Sequence, residues 1–78
     1  MGRFQFCPTK EVFDSPELGM YTAFGICVFE IRQGVAVKVD CIPDISVSER
    51  LVFALAERCT RLQLSPCHLR DVVMDILP

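Results

Sequence analysis

The sequence predicts an α+β domain: a two- or three-stranded antiparallel sheet with a β-hairpin, packed on one face by two C-terminal antiparallel helices. Three observations carry this reading. Residues 20–41 are rich in β-branched and aromatic side chains and are broken once, at Gln33-Gly34. Ser46-Val47-Ser48-Glu49 has the form of a capping box and opens a run with helical periodicity. Ser65-Pro66 then starts a second run, in which Leu69, Val72, Val73, Ile76 and Leu77 recur at i, i+3, i+4, i+7 and i+8. Strands come first and helices afterwards, the order that marks this class.

Each element has a local reason. Arg3-Phe4-Gln5-Phe6-Cys7 alternates, which predicts a short edge strand stopped by Pro8, because proline has no N–H to give. Lys10 to Gly19 carries turn chemistry in Asp14, Ser15, Pro16 and Gly19 and reads as an ordered loop pinned by Val12, Phe13 and Leu18. Residues 1–19 are therefore expected to be an edge strand and loop. Within the 20–42 hairpin, Tyr21, Phe24, Ile26, Val28, Phe29 and Ile31 fall on both parities, so this strand wants cover on both faces and belongs in the centre. Gly34 supplies the positive φ of the turn. The return strand alternates strictly, with Val35, Val37, Val39 and Cys41 inward and Lys38 and Asp40 outward, until Pro43 ends it.

Helix one is expected over 46–64, capped by Ser46. At about 100° per residue, Leu51, Val52, Leu55, Ala56, Cys59 and Leu62 gather on one side and Arg50, Glu57, Arg58 and Arg61 on the other. Phe53 falls near the polar stripe. Helix two is expected over 65–77, with Cys67 and Met74 opposite its apolar face and beside Asp71 and Asp75. The short connection Gln63-Leu64-Ser65 makes the helices neighbours. Residues 1–78 read as a single domain.

Composition narrows the function classes. A chain of 78 residues buries roughly 60 per cent of the surface its unfolded form exposes, so its core is only just sufficient. At 51% hydrophobic and 23% charged it is globular. A net charge of −2 gives no positive field for phosphates or anionic lipid. No run reaches signal-peptide or membrane-span length, which predicts a cytoplasmic protein. Phe6 stands where a myristoylation signal at Gly2 would want Ser or Thr. The five cysteines, Cys7, Cys27, Cys41, Cys59 and Cys67, are odd in number and include no C-x-x-C pair. They are expected to be free thiols, with Cys67 the most reactive and no metal or cofactor required.

Three constellations bear on chemistry. His68, Asp71 and Asp75 share one side of helix two beside Cys67, a conceivable metal site that lacks a fourth ligand with matching spacing. The plainer reading is that Asp71 and His68 answer the helix dipole. Cys67 next to His68 suggests a nucleophile pair, yet adjacent residues diverge on a helix and no oxyanion motif accompanies them. Helix one, the turn and helix two also suit a helix-turn-helix, with small Cys59 at the close approach and Arg70 on the second helix. Residues 46–78 set four Arg against two Glu and two Asp, which removes the basic surplus that DNA affinity needs.

The stretches Tyr21-Thr22-Ala23-Phe24-Gly25-Ile26, Asp44-Ile45-Ser46 and Arg61 to Val73, above all Ser65-Pro66-x-His68-Leu69-Arg70-Asp71-Val72-Val73, give the chain a likeness. It resembles a small family of uncharacterised bacterial proteins from anaerobic Gram-positive lineages over roughly Tyr21 to Leu77. The resemblance implies a stand-alone cytosolic domain and carries no catalytic residue across. The functional expectation is a non-catalytic interaction or regulatory module that forms a homodimer or binds a protein partner, not nucleic acid or membrane. Its candidate surface is Phe53, Cys67, His68, Arg70, Asp71, Met74 and Asp75. The competing expectation is that the segment Arg3 to Leu18 folds over the second sheet face, filling it with Phe4, Phe6 and Phe13.

Overall fold

The computed structural model describes residues 3–76. Three strands, β1 (Arg3–Ser15), β2 (Gly19–Arg32) and β3 (Val35–Ser46), precede helix α1 (Glu49–Leu62), a 3-10 turn at Pro66–His68 and helix α2 (Leu69–Ile76). The strands form one antiparallel sheet in the order β1-β2-β3. Both helices pack on one of its faces. The α+β reading and the central position of the second strand hold.

The N-terminal segment is neither a short strand with a loop nor a cover for the second face. It is one continuous strand paired with β2 from Arg3↔Ile31 to Ser15↔Gly19. Pro8 does not interrupt it, and the reason lies in which way the backbone points. The N–H groups of Phe4 and Phe6 leave the sheet to meet side chains of α1, so even-numbered N–H groups of β1 face away from β2. Pro8 shares that parity, and its missing N–H costs no ladder bond. Beyond it, Phe13 stacks on Tyr21 at 5.6 Å. At the tip Ser15 Oγ accepts from the N–H groups of Glu17 and Leu18, and Gly19 takes φ 74°.

The second correction concerns β3. Gln33 and Gly34, at φ 51° and 80°, form the tight turn that matches strand twist. From there the ladder runs Arg32↔Val35 to Phe29↔Lys38 and then slips by one residue, so that Val28 faces Asp40 and Cys27 faces Cys41. Val39 is the extra residue of a bulge. The expected single inward row of Val35, Val37, Val39 and Cys41 is therefore broken: Cys41 lies beside Cys27 on the face away from the helices. Val35, Val37 and Val39 are all exposed. Nor does Pro43 end the strand. A second irregularity carries three residues, Pro43, Asp44 and Ile45, past Gly25 before Ser46 pairs with Phe24. Asp44 takes φ 55° there and its carboxylate accepts from Tyr21 Oη at 2.7 Å. That bond keeps the Tyr21 phenol protonated above its ordinary range.

The core lies between the sheet and the helices. Phe24, Ile26 and Val28 of β2 face it with Phe6 and Ile45, against Val52, Leu55, Ala56 and Cys59 of α1 and Leu69 and Val73 of α2. Leu51 and Leu62, expected in the stripe of helix one, are exposed, as is Ile76. Helix one is shorter than the expected 46–64. Ser46 still belongs to β3, and its Oγ accepts from the Ser48 N–H, while Ser48 caps the helix by accepting from Leu51 N–H at 3.3 Å. Ser65 makes no side-chain cap bond; its carbonyl accepts from His68 N–H at 2.9 Å. Leu77, expected on the apolar face of helix two, lies outside the described residues.

Gly25 marks the tightest point of the sheet. A Cβ there would overlap the carbonyl oxygen of Ile42 and approach Pro43 Cα at 2.8 Å, and both are backbone atoms with no freedom to swing aside. Gly25→Ala should destabilise the fold by about 1–3 kcal/mol, as overpacking does. Urea unfolding measures it, and a midpoint equal to that of the parent chain would contradict the close approach.

Candidate functional site

The two edges of the sheet are built differently. On the β1 edge, α1 supplies side chains that stand in for a neighbouring strand. Gln63 accepts from Phe4 N–H at 2.9 Å through Oε1 and donates to Phe4 C=O at 2.8 Å through Nε2. Thr60 Oγ1 accepts from Phe6 N–H at 2.9 Å and donates to Phe6 C=O at 3.4 Å. Pro8 follows with no N–H to offer. Over Phe4 to Pro8 this edge is closed to strand addition, a known defence of natural sheets.

Gln63 makes this possible from an unusual backbone position. It ends α1 in the left-handed region at φ 51°, where glycine is the usual choice, and the N–H of Leu64 returns to Cys59 C=O at 3.0 Å in a Schellman-type stop. Its amide also donates to Thr60 C=O at 2.6 Å. A glycine would relax the backbone and lose all three side-chain bonds. Neither Gln63 nor Thr60 was singled out in the sequence, because their role appears only once α1 is laid along β1.

Among the described residues the β3 edge has no such cover. Glu30 and Arg32 turn their backbone groups toward β3, so their partners Val37 and Val35 are bonded inward, and Ala36 and Lys38 direct theirs outward. The valines flanking them are exposed, Val35 at 61%. The far end is held differently: Asp40 Oδ1 accepts from Cys41 N–H at 2.8 Å and from Arg70 Nη2 at 3.0 Å.

The residues expected to form one interaction surface do not converge. Phe53, 49% exposed, lies on α1 beside the β1 edge, in a groove with Phe6, Pro8 and Arg50. The others are on the C-terminal turn and helix, and Ile76 of α2 lines a groove with Leu51, Leu55 and Arg58 on another side of α1. Cys67, His68, Asp71, Met74 and Asp75 are exposed there, Met74 at 74%. Cys67 Sγ sits 3.2 Å from Ser65 Oγ. Arg70, the residue that a groove-reading helix would offer, is engaged by Asp40. Among the described residues no three His, Cys, Asp or Glu side chains group as a metal site, and no helix is long and apolar enough to cross a membrane.

The expectation of five free thiols is overturned. Cys27 and Cys41 form a disulfide, with their Cα atoms 4.0 Å apart. Cys7, Cys59 and Cys67 are free. The pairing could not be read from spacing, because the Gln33-Gly34 turn without a bulge sets Cys27 across from Asp40. Cys7 is in turn the partner of Cys27 on β1, so three cysteines cross the open face of the sheet in one row. Cys59 is different: burial in the core pushes its thiol above the ordinary range, against a smaller opposing pull from Arg58.

A family model described as a family of unknown function (DUF6514) matches residues 9–78. No curated protein and no solved structure matches the chain. The match begins earlier than the Tyr21 start expected from sequence likeness and takes in most of β1, but it leaves out Cys7 and Pro8.

Two outcomes follow from this geometry. Gln63→Ala keeps the left-handed backbone and loses the bonds, so it should cost about 1–2 kcal/mol. Gln63→Gly should be milder by roughly 1 kcal/mol, since glycine removes the left-handed penalty. Equal unfolding midpoints for the two variants would contradict this division. For Cys59, the raised pKa favours the folded state fully below the unfolded thiol value of about 8.5, and that contribution is lost as pH rises through the higher folded value. Native alkylation near neutral pH should therefore modify Cys67 and spare Cys59 until the chain unfolds; early modification of Cys59 would contradict its burial.

Proposed function

The chain belongs to the DUF6514 family of unknown function, and we propose that it is a non-catalytic protein-interaction module whose first partner is a second copy of itself, joined along β3. The contrast between the edges carries this reading: over Phe4 to Pro8 the β1 edge is closed by Gln63, Thr60 and Pro8, whereas the β3 edge beside the Gly34 turn is left open with Val35, Val37 and Val39 exposed. An open, apolar edge is a template for another strand.

A twofold axis through Val37 fits the backbone directions. Ala36 of each copy then lies opposite Lys38 of the other, and each pair exchanges its outward N–H and C=O groups as a hydrogen-bonded antiparallel pair does. Val35 faces Val39 across the same axis. The result is an isologous contact that closes on itself, the commonest form of oligomer. In this reading Phe53 and the α2 side chains around Met74 stay outside the contact and are free for a further partner.

Light scattering over a concentration series tests the proposal. The mass should rise from 8.8 kDa toward twice that value by tens of micromolar. Lys38→Pro removes an outward N–H, the device β1 already carries at Pro8, and Val37→Lys places a like charge on the axis; each should hold the chain monomeric with its circular dichroism unchanged. A monomer at every concentration, or a dimer indifferent to both substitutions, overturns the proposal.

A further inference from the structure

We propose that Cys7, Cys27 and Cys41 form a thiol–disulfide exchange site on the sheet face that the helices leave open. The inference rests on strand register and is independent of the β3 contact proposed above. Cys7 pairs with Cys27 across β1 and β2, and Cys27 pairs with Cys41 across β2 and β3. Residues paired across neighbouring strands project from the same face, so the three side chains stand in a line across the sheet with Cys27 in the middle.

The line has chemical consequences. Exchange proceeds by attack of a thiolate on one sulfur of a disulfide while the other sulfur departs on the far side. A nucleophile at Cys7 meets the central sulfur from the side opposite Cys41, the approach this displacement needs. The backbone supports the same assignment. Odd-numbered residues of β1 point their N–H groups at β2, so Cys7↔Cys27 is a hydrogen-bonded pair and Cys27↔Cys41 is not. The Cys41 N–H is accordingly bonded to Asp40 Oδ1 and not to β2. In hydrogen-bonded pairs the Cα atoms stand about 5.5 Å apart, within the span that a disulfide bridges. The second bond can therefore form without moving the strands.

Burial decides which nucleophile reaches the centre. Cys27 is only 8% exposed, whereas Cys7 and Cys41 are half-buried. An external thiol has access to the ends of the row, and the middle sulfur is served by its neighbour, held there at high effective concentration. The step balances within the chain. Cys7 releases its proton to water, its sulfur bonds to Cys27 Sγ as the Cys27–Cys41 bond breaks, and the electron pair leaves on Cys41, which takes up a proton. One disulfide and one thiol are present before and after, with no oxidant or reductant consumed. The crosslink moves from β2–β3 to β1–β2 and frees β3 of its covalent tie.

Cleavage after Lys10, Arg32, Lys38 and Arg50 puts the three cysteines on separate peptides, so exchange can be read directly. The native chain is held at pH 8 without added thiol, trapped with iodoacetamide, and mapped unreduced. Two products are expected: alkylated Cys7 with a 27–41 disulfide, and alkylated Cys41 with a 7–27 disulfide, with Cys27 unmodified in both. In Cys7→Ser, alkylation of Cys41 should fall to background. In Cys41→Ser, oxidised glutathione should yield the 7–27 disulfide. Alkylation confined to Cys7 in the native chain, alkylation of Cys27, or a glutathione adduct on Cys7 of Cys41→Ser that never passes to a 7–27 bond would each overturn the proposal. The native-chain map stands even where a serine variant does not fold.

Discussion

A single extra residue, Val39, sets which way Asp40, Cys41 and Ile42 of β3 face. Side chains alternate along a strand, so one inserted residue exchanges the faces of all that follow. Because of it Asp40 comes opposite Val28 and reaches Arg70 of α2, and Cys41 comes opposite Cys27 on the other face. Without it Cys27 would face Asp40, and neither the disulfide nor the three-cysteine row would exist. The residues before the slip keep the phase of the turn, which leaves Val35 and Val37 exposed near an uncovered edge.

The opposite edge shows how a small chain closes a sheet with few residues. Gln63 stops α1 in a left-handed conformation that costs roughly 1–2 kcal/mol for a residue with a Cβ. Its side chain recovers that cost by bonding both backbone groups of Phe4 and the carbonyl of Thr60. Helix termination and edge protection are thus one interaction. Among the described residues nothing comparable covers Ala36 and Lys38. Two side chains and a proline thus seal one edge over Phe4 to Pro8, while exposed valines line the other.

Much of the fold was legible in the sequence because it depends on local pattern: the order of strands and helices, the two-sided apolar run of β2, the Gly34 turn, and Phe53 lying off the core stripe. The errors share a cause, since each needed a partner strand to interpret. Pro8 and Pro43 read as stops, yet both lie in edge strands, one with its missing N–H turned outward and the other inside an irregularity. Ser46 reads as the cap from its capping-box spacing, and its pairing with Phe24 in β3 moves the cap to Ser48. Cys67 and His68 of the 3-10 turn and Asp71, Met74 and Asp75 of α2 are exposed, and Phe53, expected on the same surface, lies on a different side of α1. The cysteine row required register across all three strands, which spacing along the chain does not contain.

The register of β3 is therefore the point on which the edge, the disulfide and the proposed chemistry all rest. It can be measured without the disulfide's help by NMR on the chain under reducing conditions. In antiparallel pairs that are not hydrogen-bonded to each other the α-protons lie closest, and the account predicts a strong α-proton contact between Cys27 and Cys41. A contact between Cys27 and Asp40 in its place would mean a hairpin without the Val39 bulge and would contradict it.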